Sequence, residues 1–280
     1  MNDGTAPSST ATNAPASAPA IDLRGLGREF AGKWAVRGLD LQVRPGELYG
    51  FLGQNGAGKT TTLRMLAGLL RPSEGTLRID GLDHGTHGRA LKQRLGFVPD
   101  TPPLYDYLTG RQYVALVASL WHVPRADRDA RSRDLFERLG LVEHADELCK
   151  AYSHGTRKKV HIAAVLTTAP RVLLLDEPTS GLDPLSTRRL KDLLLAESQR
   201  GTTILLSTHG LELAEQICHR VGILAGGRLA AEGTVAELRQ RHGDRTLEDV
   251  FLAATDGLHD GAREGPHGGD ARPGKDGDAP

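Results

Sequence analysis

Cysteine is nearly absent: Cys149 and Cys218 are the only two in 280 residues, and their spacing fits no metal-ligand pattern. This excludes a disulfide framework, and a reducing, cytoplasmic setting is expected. Long apolar runs are missing as well. Stretches such as VLLLDEP and TTILLSTH fall far short of the roughly 20 residues needed to cross a bilayer, and charges interrupt every longer window. Neither sign of charge is in excess. Lys plus Arg and Asp plus Glu each number 35, so nothing in the composition points to nucleic acid or anionic lipid as a main partner. The opening MNDGTAPSSTATNAPASAPA lacks both the basic start and the apolar centre of a signal peptide.

What is present suits a globular protein, since 39% hydrophobic content is enough to bury a core. Residues 1–20, rich in Ala, Pro, Ser and Thr, and residues 256–280, rich in Gly, Asp and Pro, read as disordered tails around a folded segment at 21–255. His259 and His267 in the second tail read as solvated. Between the tails, strand-like runs alternate with helical patterns, which argues for an α/β fold with a largely parallel sheet. ELYGFLG reads as a strand that runs into GQNGAGKTT. A helix is expected over TTLRMLAGLL, where Leu63, Leu66, Leu69 and Leu70 fall at helical spacing. RVLLLDEP and TTILLSTH read as strands buried on both faces with polar groups at their C-terminal edge. From about 101 to 169 the pattern is helical. Thr109 and Gln112 make a capping box ahead of QYVALVASLW, and DARSRDLFERLG ends at Gly140. A last helix opens within CKAYSHGTRKKVHIAAVL.

GQNGAGKTT satisfies G-x-x-x-x-G-K-[ST] at Gly53, Gly58, Lys59 and Thr60, between a strand and a helix as the mechanism requires. Glycines let the backbone wrap phosphates so that successive N–H groups, across Gln54, Asn55, Gly56, Ala57 and Thr61 as well, point at the negative charge. Lys59 can reach the β- and γ-phosphates, and the Thr60 hydroxyl can ligate Mg²⁺. Asp176, at the end of VLLLD, is placed to hold Mg²⁺ directly or through water. Glu177 can orient or deprotonate an attacking water.

Together these residues resemble the ATP-binding subunits of ABC transporters, over about residues 21 to 255. The resemblance rests on the Walker A loop at Gly53 to Thr61, the Walker B strand Val172 to Asp176 with Glu177, SGLD at Ser180 to Asp183, and His209 in LLSTH. It implies an ABC ATPase fold: a P-loop core with a largely parallel sheet, an antiparallel β-subdomain and a helical insertion at about 101–169. It implies ATP and Mg²⁺ as ligands. It also gives Phe30 in REFAGKWAV as the aromatic that stacks on adenine, with Trp34 in the same loop as the alternative. His209 would contact the γ-phosphate. Asp183 would lie between two copies, since in this family each ATP is sandwiched by a dimer. The turn Tyr152–Thr156 takes the signature positions, usually LSGGQ. Ser153 and Gly155 are kept, and His154 and Thr156 depart.

Arg157, Lys158 and Lys159 then place three cations in a first helical turn, against the helix dipole. They await a docking anion or are simply solvated. Asp100 stands where the family usually has glutamine, and is either a metal-proximal group or a turn former ahead of Pro102 and Pro103. The resemblance extends to export-type subunits through VPDTPPLYDYLTG, YSHGTRKK and TLEDVFLAAT. It implies a separate integral membrane subunit, docked on an apolar patch of Leu104, Tyr105, Tyr107 and Leu108, and a peripheral place on the inner face of the membrane. Two other readings are a soluble ABC protein acting on ribosomes or DNA, and a regulatory subunit that binds without turnover.

Overall fold

The computed structural model describes residues 18–256. The two expected tails, with His259 and His267, lie outside the described residues apart from their inner ends. Ala20, placed in the first tail above, is buried, and its N–H donates to the Val43 carbonyl at 2.8 Å, so the fold begins one residue earlier than expected.

Strand β1 (Ile21–Phe30) turns at Ala31 and Gly32 into β2 (Lys33–Val43), and both turn residues have positive φ, 48° and 81°. This is the geometry that two-residue hairpin turns favour, so REFAGKWAV is a hairpin with Phe30 and Trp34 on its two arms, in place of the expected loop. The parallel core opens with β3 (Leu48–Leu52) and α1 (Lys59–Leu66), and β4 (Glu74–Ile79) returns to pair with β1. Helix α1 stops short of the expected Leu69 and Leu70. Gly68, at φ 70°, donates to Met65 O at 3.0 Å and Leu69 donates to Arg64 O at 2.9 Å, which closes the helix and leaves Leu69 exposed.

Helix α2 (His84–Arg94) leads into β5 (Leu95–Val98). The helical segment follows as α3 (Gly110–Leu120), α4 (Arg125–Arg138) and α5 (His154–Thr167). The Thr109–Gln112 capping box is formed, and Gly140 follows the α4 cap at φ 63°. The core resumes with β6 (Val172–Asp176), α6 (Pro184–Gln199), β7 (Thr203–Thr208), α7 (Leu211–Ile217), β8 (Arg220–Ala225) and β9 (Arg228–Gly233), and ends in α8 (Val235–Arg241) and α9 (Leu247–Asp256).

Strands β2, β1 and β4 form an antiparallel sheet. The second sheet runs β5-β6-β7-β3-β8-β9, parallel except for the last strand. Its central strands are buried on both faces by alternation. Leu173, Leu175, Ile204 and Leu206 face the core shared with the helical segment. Val172, Leu174 and Leu205 face the core shared with α1 and the antiparallel sheet. That is why VLLLD and TILLST are nearly continuous apolar runs. Burying each such side chain contributes about 1.5–3 kcal/mol. Among the described residues no helix is long and apolar enough to cross a membrane.

Helix α5 is buried from Lys158 through Thr167, as a helix with no broad polar face must be. Its His161 sets Nδ1 2.7 Å from the Tyr113 hydroxyl of α3. Burial pushes the His161 pKa down from 6.5 to about 4, against an opposing backbone hydrogen bond to Phe97. The folded state therefore prefers neutral imidazole. The stability this contributes is fully present above pH 6.5 and is lost as pH falls through 4. Replacing His161 by Gln is expected to remove about 3 kcal/mol of the acid-induced loss over that window. Urea midpoints at each pH measure it, and parallel curves for wild type and variant would contradict it.

Candidate functional site

The carboxyl ends of β3, β6 and β7 lie side by side at one edge of the parallel sheet, and the residues with phosphate-handling chemistry sit there. The loop after β3 exposes Gln54, Asn55 and Gly56 at its tip and buries Gly53, Ala57, Gly58 and Lys59, with Thr60 and Thr61 half-buried as α1 begins. Gly58 caps α1 at φ 105°, and a Cβ there would fall 2.6 Å from the Ala35 carbonyl of β2. Only glycine lets the loop close against the hairpin in this way. Gly58 also has no side chain to occupy the first-turn N–H groups, which a phosphate can take.

Lys59 Nζ donates to the carbonyls of Gly53 at 2.5 Å and Gln54 at 3.2 Å. The Thr60 hydroxyl donates to Asp176 Oδ1 at 3.1 Å, and the buried Ser207 hydroxyl of β7 donates to the same oxygen at 2.6 Å. Three strand ends are thus joined through one carboxylate. Glu177, the next residue, has φ 46°, a strained value for a side chain that is not glycine, and one that functional sites often hold. Its N–H donates to Ser207 O at 3.1 Å. Its carboxylate meets Lys59 Nζ at 3.6 Å through Oε1 and His209 Nδ1 at 2.9 Å through Oε2. Lys59, Thr60, Asp176, Glu177 and His209 therefore form one group.

Phe30 is exposed, under the Arg28 guanidinium at 4.6 Å, so core packing is excluded and a ring face is available. Trp34 is half-buried with Arg37 at 5.3 Å.

Ser153 caps α5, its hydroxyl accepting from Thr156 N–H at 3.2 Å. The turn packs on the segment after β6. A Cβ on Gly155 would fall 2.8 Å from Gly181 O, and a Cβ on Gly181 would fall 2.6 Å from the exposed His154 ring. The imidazole is accommodated by a glycine of its own chain. Asp183 caps α6, and the Ser186 hydroxyl and N–H, at 2.6 and 2.9 Å, hold its carboxyl below the usual range.

The three cations at the start of α5 match neither expected reading. Arg157 donates to Asp106 at 3.0 Å and to Cys149 O at 2.9 Å. Lys159 is buried against Ser186 at 3.2 Å. Lys158 is fully buried, with Nζ donating to Asp100 Oδ1, Glu177 O and Ser180 O at 2.9, 2.9 and 3.0 Å. Acceptors from neighbouring elements take all three. Asp100 is accordingly an ion-pair partner of Lys158.

The expected apolar patch is narrower than its sequence. Leu104 is buried and Leu108 packs on the core, so only Tyr105 and Tyr107 are exposed. Tyr105 lines an apolar groove of 490 Å³ between α3 and the sheet, together with Leu104, Tyr113, Leu116, Val117 and Trp121 among others. Ser207 was missed by sequence reasoning, and Lys158, named among the three cations, was not expected to be buried. The signal for Ser207 was a polar residue inside the apolar run TILLST, and for Lys158 a cation opening a helix with no broad polar face.

The ABC transporter family profile matches residues 36–180. The daunorubicin/doxorubicin resistance ATP-binding protein DrrA of Streptomyces peucetius is 40% identical over 228 residues, 81% of this chain and 69% of that protein. The Nod factor export ATP-binding protein I of Paraburkholderia xenovorans is 37% identical over 223 residues, 78% of this chain and 72% of that protein. A solved structure of the ATP binding subunit of an ABC transporter superposes with a TM-score of 0.80 at 28% identity, covering 84% of this chain and 98% of the other. Sequence and fold agree with the strand-edge geometry: the chain belongs to the ABC transporter family, as an ATP-binding subunit that hydrolyses ATP.

Proposed function

We propose that two copies of this chain enclose two ATP molecules, each held by the loop Gly53–Thr61 of one copy and the turn at Ser153 and Gly155 of the other, and that the cycle drives export through a separate integral membrane subunit. The observation that supports this most is the placement of the Glu177 carboxylate between Lys59 Nζ at 3.6 Å and His209 Nδ1 at 2.9 Å, beside the phosphate loop. In this reading the loop N–H groups and Lys59 bind the phosphates, and Phe30 stacks on adenine. Glu177 orients the attacking water and accepts its proton. His209 holds Glu177 and the γ-phosphate in register, and Asp183 lies between the copies.

The Thr60 hydroxyl and the Asp176 carboxylate, hard oxygen donors 3.1 Å apart, fit Mg²⁺, which neutralises charge on the terminal phosphates when bound. Among the described residues no cluster of three or more acidic, His or Cys side chains could hold a metal alone, and phosphate and water oxygens would supply the other ligands when the nucleotide is bound. Asp100 gives Lys158 one oxygen, and its half-exposed carboxylate keeps a second that would serve as a metal-proximal donor.

Export is supported by the names of the relatives, a drug-resistance ATP-binding protein and a Nod factor export ATP-binding protein. The membrane subunit docks at the apolar groove, which Tyr105 lines, and at the exposed Tyr107 two residues on, which holds the chain on the cytoplasmic face of the membrane. Replacing Tyr105 and Tyr107 by Arg is expected to release the chain into the soluble fraction with its nucleotide binding intact. Retention on membranes would sink the docking assignment. Glu177→Gln is expected to bind ATP, to lower turnover by about a hundredfold or more, and to accumulate as a closed dimer. Turnover at the wild-type rate would remove Glu177 from catalysis.

A further inference from the structure

Lys158 is the one lysine among the described residues with no exposed surface at all. An ammonium has three protons to donate, and here each has an acceptor: Asp100 Oδ1, Glu177 O and Ser180 O, all within 3.0 Å. Two of these acceptors bracket the turn that leaves β6, in which Ser180 N–H also donates to Glu177 O at 3.1 Å. The ammonium thus grips the backbone of the residue whose strained φ aims its carboxylate at Lys59 and His209.

The third acceptor lies on a different segment. Asp100 closes the stretch after β5 and is followed by Thr101, Pro102, Pro103, Leu104 and Tyr105, the last three of which line the apolar groove. Its side chain is half-exposed while that of Lys158 is wholly buried, so the carboxylate is the movable member and the ammonium the fixed one. A displacement of the groove segment would draw Asp100 off the ammonium. The charge would then have to be balanced by the two carbonyls alone, and their positions would shift.

We propose that Lys158 is a positioning residue for hydrolysis, holding the Glu177 backbone in its strained form and tying it through Asp100 to the segment that borders the groove. The inference rests on the reading of Glu177 as the group that activates water. Lys158 touches neither nucleotide nor water in this scheme, so its loss should leave ATP binding alone and slow the chemical step. A pair of glutamine amides at positions 100 and 158 can replace the ion pair: the amide at position 158 would donate to Glu177 O and accept from the amide at position 100.

The test measures steady-state ATPase of the full chain in complex with its membrane subunit, for Lys158→Gln, Asp100→Gln and the double variant, with ATP affinity and thermal midpoint measured beside it. Each single variant is expected to lower kcat about tenfold or more with KM for ATP within about twofold of wild type, and the double variant to recover most of the loss. Losses that multiply in the double variant, an unchanged kcat in the singles, or a fall in kcat accompanied by an equal loss of ATP affinity would each overturn the proposal. Should Lys158→Gln fail to fold, Asp100→Gln at its half-exposed site decides alone, and wild-type kcat there overturns the link. Glu177→Gln separates the two levels. If it turns over normally, the reading of Glu177 has failed; if it is inactive while both singles behave as wild type, only the positioning role has failed.

Discussion

The structure depends on one carboxylate at the end of a buried strand. Asp176 Oδ1 receives the hydroxyls of Thr60 from α1 and Ser207 from β7, and these two bonds hold the carboxyl ends of three parallel strands in a fixed relation. A polar group at this depth is tolerated because Oδ1 accepts two hydrogen bonds, and a network made in this way also stiffens its surroundings. The phosphate loop, Glu177 and His209 inherit their spacing from it. The hydrophobic alternation of β6 and β7 fixes the strands, and the strands bring the chemistry to a single edge.

Much of this is legible in the sequence because the signals are local. A phosphate loop is a spacing of glycines and one lysine, and a doubly buried strand is a short apolar run, so both can be read from a few consecutive residues. The capping box at Thr109 and Gln112 is equally local, and it forms as expected. The parts that the sequence hides depend on distant neighbours. Lys158 finds Asp100 58 residues earlier and Glu177 and Ser180 about 20 later, and nothing in its own helix announces either. The end of α1 falls earlier than its pattern suggests because Leu69 and Leu70 continue a helical spacing that Gly68 has already interrupted. The hairpin at Ala31 and Gly32 reads as a loop because a two-residue turn without Asn or Asp is a weak signal.

The turn at Ser153 joins the two halves of this arrangement. His154, where glycine is usual in the resembling family, lies against Gly181, and Gly155 lies against the Gly181 carbonyl, so the turn and the segment after Glu177 are fitted to each other within one chain. Lys158 extends the same contact inward to the Glu177 backbone. In the proposed dimer, a nucleotide in the partner's phosphate loop that reaches this chain's Ser153 would therefore meet a turn packed on the segment that follows Glu177. That gives a physical route by which two sites on opposite copies could feel each other, in addition to the route through the groove. Both routes meet at the same buried ammonium.

If each ATP site is built from two copies of the chain, copies damaged in different halves of the site should complement one another. Copies carrying Lys59→Ala and copies carrying Ser153→Arg are each inactive alone on this account, because every site in either dimer has one damaged half. Coexpressed and assembled with the membrane subunit, they should form mixed dimers with one intact site and regain a clear fraction of the wild-type ATPase rate. A mixed preparation that contains heterodimers yet shows no activity above the sum of its parents would contradict the shared site.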